Sequence, residues 1–243
     1  IKNRLTERAL KYEPKLIEVQ PREMTRCGSF EISFIRVNHS IVDSFGLAIK
    51  TSAGTIVHTG DFKIDYSPVD GKVTDLYALA ELGENSVQLL MSDSTNAEKP
   101  GYTGSESELN SKLLDIFSNA KARIIVATFA SNINRIQQVL DAAAKFNRKV
   151  VVSGRSMINN IEIAKELGYL NYRDGLIVEL NEAKILSDRK LVIICTGTQG
   201  EPMSALSRIA NGTHQHFKCN PGDKVVITAS VIPGNERTVS VVI

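Results

Sequence analysis

The second half of the chain alternates short apolar segments with amphipathic ones, and this alternation constrains the fold more than any other feature. The apolar segments end in turns rich in Ser, Thr, Asn or Gly, and they are VQLLMSDSTN (87–96), RIIVATFASN (123–132), KVVVSGRS (149–156), LVIICTGTQG (191–200) and KVVITASVIPGN (224–235). Helical spacing between them predicts helices over 133–146, 157–167 and 202–210. Strand–helix alternation is typical of a parallel sheet with helices on its faces. Such a sheet binds ligands beyond the carboxyl ends of its strands.

The first part of the chain has a different pattern. Short runs with a period of two predict sequential strands over 29–37, 45–52 and 54–61, which form an antiparallel meander. Helical spacing predicts a helix over 1–11 and a short one from Leu76 that ends at Gly83. Another helix is predicted to begin near Ser105, which has capping-box spacing to Glu108. We place the junction between the two regions near 95–105.

Composition excludes some classes of protein and of binding site. The formal charge of +2, from 29 basic and 27 acidic residues, is too balanced for nucleic-acid binding by bulk electrostatics, so any polyanion site must be local. The three cysteines have no CxxC spacing, which indicates a reducing cytoplasm and argues against a cysteine-based zinc site. No apolar run is long enough to span a bilayer, so no membrane partner is expected. The start IKNRLTERAL and the end VSVVI read as cuts in a longer protein.

Polar residues at strand ends are candidate metal ligands. His39 and Asp61 each follow an apolar strand, and a hairpin brings both to one sheet edge, where imidazole and carboxylate suit Zn²⁺ or Mn²⁺. The alternative for Asp61 is a turn residue that accepts from backbone N–H groups. Two interpretations of Asp93 have equal weight: it forms an Asx turn, or its carboxylate orients a metal-bound His. His58 is read as a core or metal-supporting histidine.

Other strand ends are candidate phosphate sites. Ser131 or Asn132, and Ser156, are predicted helix N-caps, and a helix N-terminus that follows a strand also binds phosphate. Arg155 adds a charge-assisted contact there. The turn TGTQGEP (196–202) lacks the Gly-Lys-Ser/Thr element of a Walker A loop. The HxH pair in THQHF, which comprises His214 and His216, reads as surface.

Seven segments together carry a resemblance to a known family. They are VNHSIVDSFG, HTGDFKID, LLMSDSTNAE, ATFASNINRIQQ, SGRSM, CTGTQGEPMSALSRIANG and IPGN. They closely resemble ribonuclease J, of the β-CASP branch of the metallo-β-lactamase fold, from roughly residue 27 to the C-terminus. The implied fold is α/β: part of a metallo-β-lactamase domain over 1–104, then a β-CASP domain over 105–243 with a parallel sheet flanked by helices and an incomplete C-terminus.

The resemblance implies roles for individual residues. His39 matches a metal ligand, Asp61 the carboxylate that bridges two metals, and Asp93 the acidic residue that supports the metal cluster. Ser131 matches the serine that holds the terminal phosphate of the RNA. The other strand-end turns are expected to line the RNA channel, with these residues: Asn132, Arg155, Ser156, Gly197, Thr198 and Gln199.

The implied activity is that of a metal-dependent ribonuclease. The family relation implies 5′-to-3′ exonuclease and endonuclease action on single-stranded RNA in RNA processing and decay. Two divalent metals, with zinc first and manganese or magnesium as alternatives, lower the pKa of a bridging water and clamp the scissile phosphate. A homo-oligomer or a hetero-oligomer with a paralogue is expected for the intact protein.

The chain also departs from the family pattern. The HxHxDH signature and the later GHG-containing segment are absent, and we expect them before residue 1 and after residue 243. We therefore expect the chain alone to hold no metal tightly and to be inactive. Two alternatives remain open: a catalytically degenerate paralogue that serves as an RNA-binding or complex-forming subunit, and a small-molecule metallohydrolase.

Overall fold

The structure is a computed structural model that describes Leu5, Tyr12 and residues 14–242. Its strands are β1 (Met24–Cys27), β2 (Phe30–Arg36), β3 (Phe45–Thr51), β4 (Gly54–His58), β5 (Val87–Met91), β6 (Ile124–Ala127), β7 (Lys149–Ser153), β8 (Leu191–Cys195) and β9 (Lys224–Ile227). Its α-helices are α1 (Leu76–Glu84), α2 (Glu108–Asn119), α3 (Ile133–Lys145), α4 (Arg155–Glu166), α5 (Leu180–Ala183), α6 (Ala205–Ala210) and α7 (Glu236–Val242). Apart from Leu5, the predicted helix over 1–11 lies outside the described residues.

The first sheet has five strands in the order β1-β2-β3-β4-β5. Antiparallel pairing joins β1 through β4, so the predicted meander is confirmed. Strand β1 was not predicted, because MTRC is polar and mostly exposed and therefore has no apolar period. Strand β5 pairs parallel to β4 and makes the sheet mixed. Pairing between strands far apart in the chain is not encoded in local periodicity.

The second sheet has four parallel strands in the order β7-β8-β6-β9. Its strands are apolar runs because both faces are covered. Side chains from α2, α3 and α4 pack on one face, and side chains from α5 and α6 pack on the other. Cys195, at the end of β8, is a fully buried core residue, as predicted. The predicted parallel sheet with helices on its faces is confirmed.

Several helix ends differ from prediction. Helix α1 passes through Gly83 and ends at Glu84. Gly83 keeps a negative φ, so it does not form the left-handed turn by which a glycine ends a helix. Helix α2 begins at Glu108, after Ser105 has already accepted a hydrogen bond from the Ser107 N–H, so the capping box does not form. Helix α4 begins at Arg155, so its N-cap is Gly154 and Ser156 lies within the helix.

The connections of the second sheet create a switch point. From β6 the chain crosses through α3 to β7 on one face, and from β8 it crosses through α6 to β9 on the other. Because β6 and β8 are neighbours whose connections leave in opposite directions, a crevice opens between their carboxyl ends. The turns after these two strands lie in the position where open α/β sheets bind ligands.

A polar cluster joins the two sheets. Lys63, just after β4, donates from Nζ to Glu106 Oε1 at 2.8 Å. The Asp65 carboxylate accepts from the Glu106 N–H at 3.0 Å, and Glu106 also pairs with Arg135 of α3. Tyr169 donates its hydroxyl to Asp43 at a second contact between the two halves. The division into residues 1–104 and 105–243 stays a prediction.

Candidate metal and phosphate site

Three strands of the first sheet end at the same edge. Strand β3 pairs antiparallel with both β2 and β4, so the carboxyl ends of β2 and β4 share one edge, and parallel pairing adds the end of β5 beside β4. An isolated bridge between Asn38 and Lys63 continues the contact beyond the strands. The Thr59 N–H donates to Met91 O at 3.0 Å on the other side. This topology brings together the segments that hold His39, Asp61 and Asp93.

His39 and Asp61 face each other as predicted. The distance between His39 Nε2 and Asp61 Oδ2 is 3.7 Å. The Asp61 side chain is 78% exposed and the His39 side chain 30% exposed, so the carboxylate is open to an incoming ligand. Ser40 Oγ lies 3.3 Å from the same imidazole nitrogen.

Asp93 lies beside this pair and is held in a turn. Its carboxylate accepts from the Thr95 N–H at 2.9 Å and from the Thr95 hydroxyl at 2.7 Å. The pKa of Asp93 is lowered by these two hydrogen bonds first, against some desolvation, and further by the Phe62 N–H and the nearby His39. Both readings of Asp93 therefore have support: it forms an Asx-type turn, and it is an ionised carboxylate close to His39.

These residues fit a divalent metal in donor type but not in number. Imidazole nitrogen and carboxylate oxygen are ligands of zinc and manganese, and closed zinc sites use four. Within the part of the chain that the structure describes, no group of three or more His, Cys, Asp or Glu side chains is arranged to hold a metal ion. His58 joins no such group among these residues; its side chain is exposed and its Nδ1 accepts from the Gly60 N–H at 2.9 Å. The reading of His58 as a core residue was wrong.

The turn after β6 carries Ser131 and Asn132 at the start of α3. Asn132 is the N-cap, and its Oδ1 accepts from the Arg135 N–H at 3.0 Å. Asn134, in the first turn of α3, lines a small cavity together with His39 and Lys63. The N-terminus of this helix, of 13 residues, therefore lies toward the metal-ligand edge of the first sheet.

The turn after β8 is buried and tightly packed. Gln199 links it to the segment after β9: its Nε2 donates to Ser230 O at 3.0 Å, and its Oε1 accepts from the Ile232 N–H at 2.8 Å. Gly197 has φ of 120°, and a Cβ there would lie 2.8 Å from Leu206 Cβ, so only glycine fits. Thr198 follows at the switch point.

Two buried hydroxyls at the switch point make no hydrogen bond. Thr128 follows β6 and Thr198 follows β8, and each is 1% exposed. Neither Oγ1 atom has a partner in residues 14–242. Unpaired buried polar groups are costly and rare, so these two hydroxyls are available to a water molecule or a ligand at the switch point.

Arg155 and Ser156 lie elsewhere. Both are exposed at the start of α4, and Arg155 lines a cavity at the end of β7 together with His214. His214 is half-buried, and its Nε2 lies 2.9 Å from Ser153 Oγ, so the surface prediction was wrong for His214, whereas His216 is exposed as predicted. The roles of Arg155 and Ser156 in RNA binding stay predictions.

Sequence reasoning missed Thr128, Asn134 and the residues that join the two sheets. Thr128 was part of a strand-end turn that we had singled out, and its position after β6 was the available signal. Glu106 gave no signal, because its partners Lys63 and Arg135 are 43 and 29 residues away in the chain.

Comparison with known proteins defines the class first. Residues 121–243 match the family model described as "Ribonuclease J, beta-CASP domain", so the part of the chain that holds the four parallel strands is a β-CASP domain. A solved structure from Enterococcus faecalis, titled a protein of unknown function, matches with a TM-score of 0.57 at 14% identity. The match covers 96% of this chain and 60% of the Enterococcus faecalis chain, and at this identity it shows only that the two share a fold.

Two curated relatives identify the family. The chain is 49% identical over 226 residues to ribonuclease J of Corynebacterium glutamicum, which covers 93% of this chain and 32% of the relative. It is 48% identical over 243 residues to ribonuclease J of Synechocystis, which covers 100% of this chain and 38% of the relative. The chain belongs to the ribonuclease J family. It spans 32–42% of the length of the curated relatives it matches.

Proposed function

We propose that this chain is the RNA-gripping core of a metal-dependent ribonuclease that hydrolyses phosphodiester bonds of single-stranded RNA. The observation that carries the proposal is the position of α3: its N-terminal turn lines one cavity with His39, beside the predicted metal edge. A strand of RNA held at Ser131 and Asn132 would have a phosphodiester within reach of His39 and Asp61. A pocket for a 5′ monophosphate at Ser131 would favour stepwise 5′-to-3′ digestion, alongside internal cleavage.

Phosphate binding at α3 rests on ordinary electrostatics. The free N–H groups of a helix N-terminus and the helix dipole both favour an anion. Asn132 uses its Oδ1 to cap the helix, which leaves its amide N–H groups available for a phosphate oxygen. Because the net charge of the chain is only +2, this local site, rather than the whole surface, would supply the affinity for RNA.

The first sheet would be part of a metallo-β-lactamase fold. His39 and Asp61 would each donate to a divalent metal, and Asp93 would orient them. The metals, when bound, would activate a water and stabilise charge on the scissile phosphate. Two ligands make an incomplete set, so we expect this chain to hold metal weakly and to lack nuclease activity by itself.

Partners and location follow from the same proposal. Single-stranded RNA is the ligand, and a homo-oligomer or a hetero-oligomer with a paralogue is the expected assembly of the whole protein. A cytoplasmic location agrees with three cysteines that form no disulfide. Among the described residues, no helix has the length and apolar character needed to cross a membrane.

Fluorescence anisotropy tests the RNA site directly. The chain is titrated into labelled single-stranded RNA that carries either a 5′ monophosphate or a 5′ hydroxyl, at several salt concentrations. We expect tighter binding of the monophosphate and at least a tenfold loss of that preference in Ser131→Ala. Ser118→Ala is the matched control, because Ser118 is an exposed serine on α2. Equal binding of the two RNAs by the wild-type chain would contradict the phosphate role of Ser131.

Elemental analysis tests the metal part separately. After loading with zinc or manganese and dialysis, we expect one ion or fewer per chain and no RNA cleavage. Two tightly held ions per chain would show that other ligands complete the site, and the proposed incomplete centre would then be wrong.

A further inference from the structure

A second polar cavity lies at the carboxyl end of β7, on the β-CASP domain. Its volume is about 590 Å³. Ser153, Arg155, Arg208 and His214 line it, and it shares no lining residue with the cavity beside His39. Neither the metal edge nor the switch point uses these four residues.

The His214 ring is fixed in one protonation state. Its Nδ1 accepts from the backbone N–H groups of His216 and Phe217, each at 3.2 Å, so Nδ1 carries no proton. Burial lowers the pKa of His214, and the neighbouring Arg208 and His216 lower it further. The ring is therefore neutral near pH 7, and its single proton lies on Nε2.

This protonation state leaves Ser153 with an unused donor. The Nε2–H of His214 donates to Ser153 Oγ at 2.9 Å. The Ser153 hydroxyl proton then needs an acceptor of its own, and none lies within hydrogen-bonding distance in residues 14–242. Ser153 is 8% exposed and lines the cavity, so that acceptor has to come from whatever occupies the cavity. The buried hydroxyl indicates an acceptor supplied by a ligand in the cavity.

The charges of the cavity add to this signal. Arg155 and Arg208 form no ion pair within 4.0 Å in the described part of the chain. The N-cap of α4 is Gly154, which has no side chain to cap the first N–H groups of the helix. Glu162 and Glu179 line the same cavity, so a ligand with hydroxyl donors as well as an anionic group would satisfy both kinds of side chain.

We propose that this cavity binds a nucleoside monophosphate. The phosphate would accept from Ser153, Arg155 and Arg208, and the ribose hydroxyls would donate to a glutamate. Ile158 supplies apolar surface against which a base can pack, and Tyr172, whose ring centroid lies 4.6 Å from Lys165 Nζ, adds aromatic surface. Arg155 is also among the residues expected to line the RNA channel, but the cavity contains neither Ser131 nor Asn132, and the proposal does not depend on the RNA grip at Ser131.

Calorimetric titration of the whole 243-residue chain with adenosine 5′-monophosphate, adenosine and inorganic phosphate tests this proposal. We expect the monophosphate to bind at least tenfold more tightly than either fragment. Arg208→Gln is expected to weaken that binding at least tenfold, and Arg155→Gln to weaken it several-fold. Arg189→Gln is the matched control, because Arg189 is an exposed arginine that does not line the cavity. Thermal unfolding of each variant shows that the fold is kept.

Four results would overturn the proposal. The wild-type chain fails to bind the monophosphate, or it binds adenosine or inorganic phosphate as tightly as the monophosphate. The Arg208→Gln variant, with an unchanged melting temperature, binds the monophosphate like the wild type. Ser131→Ala, rather than Arg208→Gln, abolishes binding, which would place the nucleotide at the RNA site instead.

Discussion

The most informative perturbation is Glu106→Gln at the joint between the two sheets. Arg135 is 2% exposed, and its guanidinium pairs with Glu106, whose side chain is 27% exposed. Burial alone would raise the pKa of Glu106, but the hydrogen bond from Lys63 and the charge of Arg135 together hold it below the ordinary value. The carboxylate is therefore ionised at neutral pH and compensates a buried cation.

The expected cost of this substitution is large for a change of one atom. Removing one partner of a buried pair costs about 3–5 kcal/mol, because the other charge stays buried without compensation. The partial exposure of Glu106 places it at the lower end, about 3 kcal/mol. For a chain of this size that corresponds to a drop in Tm of roughly 6–12 °C.

Urea unfolding followed by circular dichroism measures this cost. The matched control is Glu31→Gln, which makes the same change in the pair Arg26–Glu31. Glu31 is 25% exposed, much like Glu106, but its partner Arg26 is 74% exposed, so the expected loss is under about 1 kcal/mol. Arg135→Met removes the buried cation, so the double variant should be more stable than the sum of the two single losses predicts. Equal losses in Glu106→Gln and Glu31→Gln, or strict additivity in the cycle, would refute the reasoning.

Three further predictions concern the turns and the two sites. Gly200→Ala should destabilise the chain far more than Gly212→Ala in urea unfolding. Both glycines have φ of 69°, so both substitutions strain the backbone to a similar degree. A Cβ at Gly200 would also lie 2.7 Å from Val239 N, while nothing lies within 4 Å of a Cβ at Gly212. A similar loss in both would contradict the packing argument. The folded-state pKa of His214 lies below its unfolded value of about 6.5, so its stabilisation is present above that pH and is lost as pH falls toward the folded pKa. The urea midpoint should therefore fall from pH 7.5 to pH 5, and less so in His214→Gln; equal slopes would speak against it. Asp61→Asn should weaken Mn²⁺ binding at least tenfold by calorimetry, and an unchanged affinity would remove Asp61 from the metal ligands.

Sequence pattern was a good guide to the elements of the parallel sheet. Strands β6 to β9 each begin within one residue of the start of the apolar segment that predicted them. Buried strands with both faces covered appear as continuous apolar runs, so their signal is local and strong. The starts of α2, α4 and α6 were predicted less well, because an N-cap depends on one or two hydrogen bonds. Ser105 Oγ, for example, accepts from the Ser107 N–H and donates to Ser67 O instead of capping a helix.

Part of the candidate site was also predictable. Strand-end polar residues such as His39, Asp61 and Asp93 are visible in the sequence, and the structure brings them together at one edge. The orphan hydroxyls of Thr128 and Thr198 are not visible there, because burial and the absence of a partner are properties of packing.

The sequence by itself determined where the strands and helices lie and which turns carry polar groups, since both follow from side-chain order over a few residues. Only the tertiary structure decided that β5 joins the mixed sheet, that Glu106 bridges Lys63 and Arg135, and that Ser153 meets His214 across 61 residues. These contacts unite segments that are distant in the chain. Their selection depends on burial and charge compensation in the folded state, which no local pattern records.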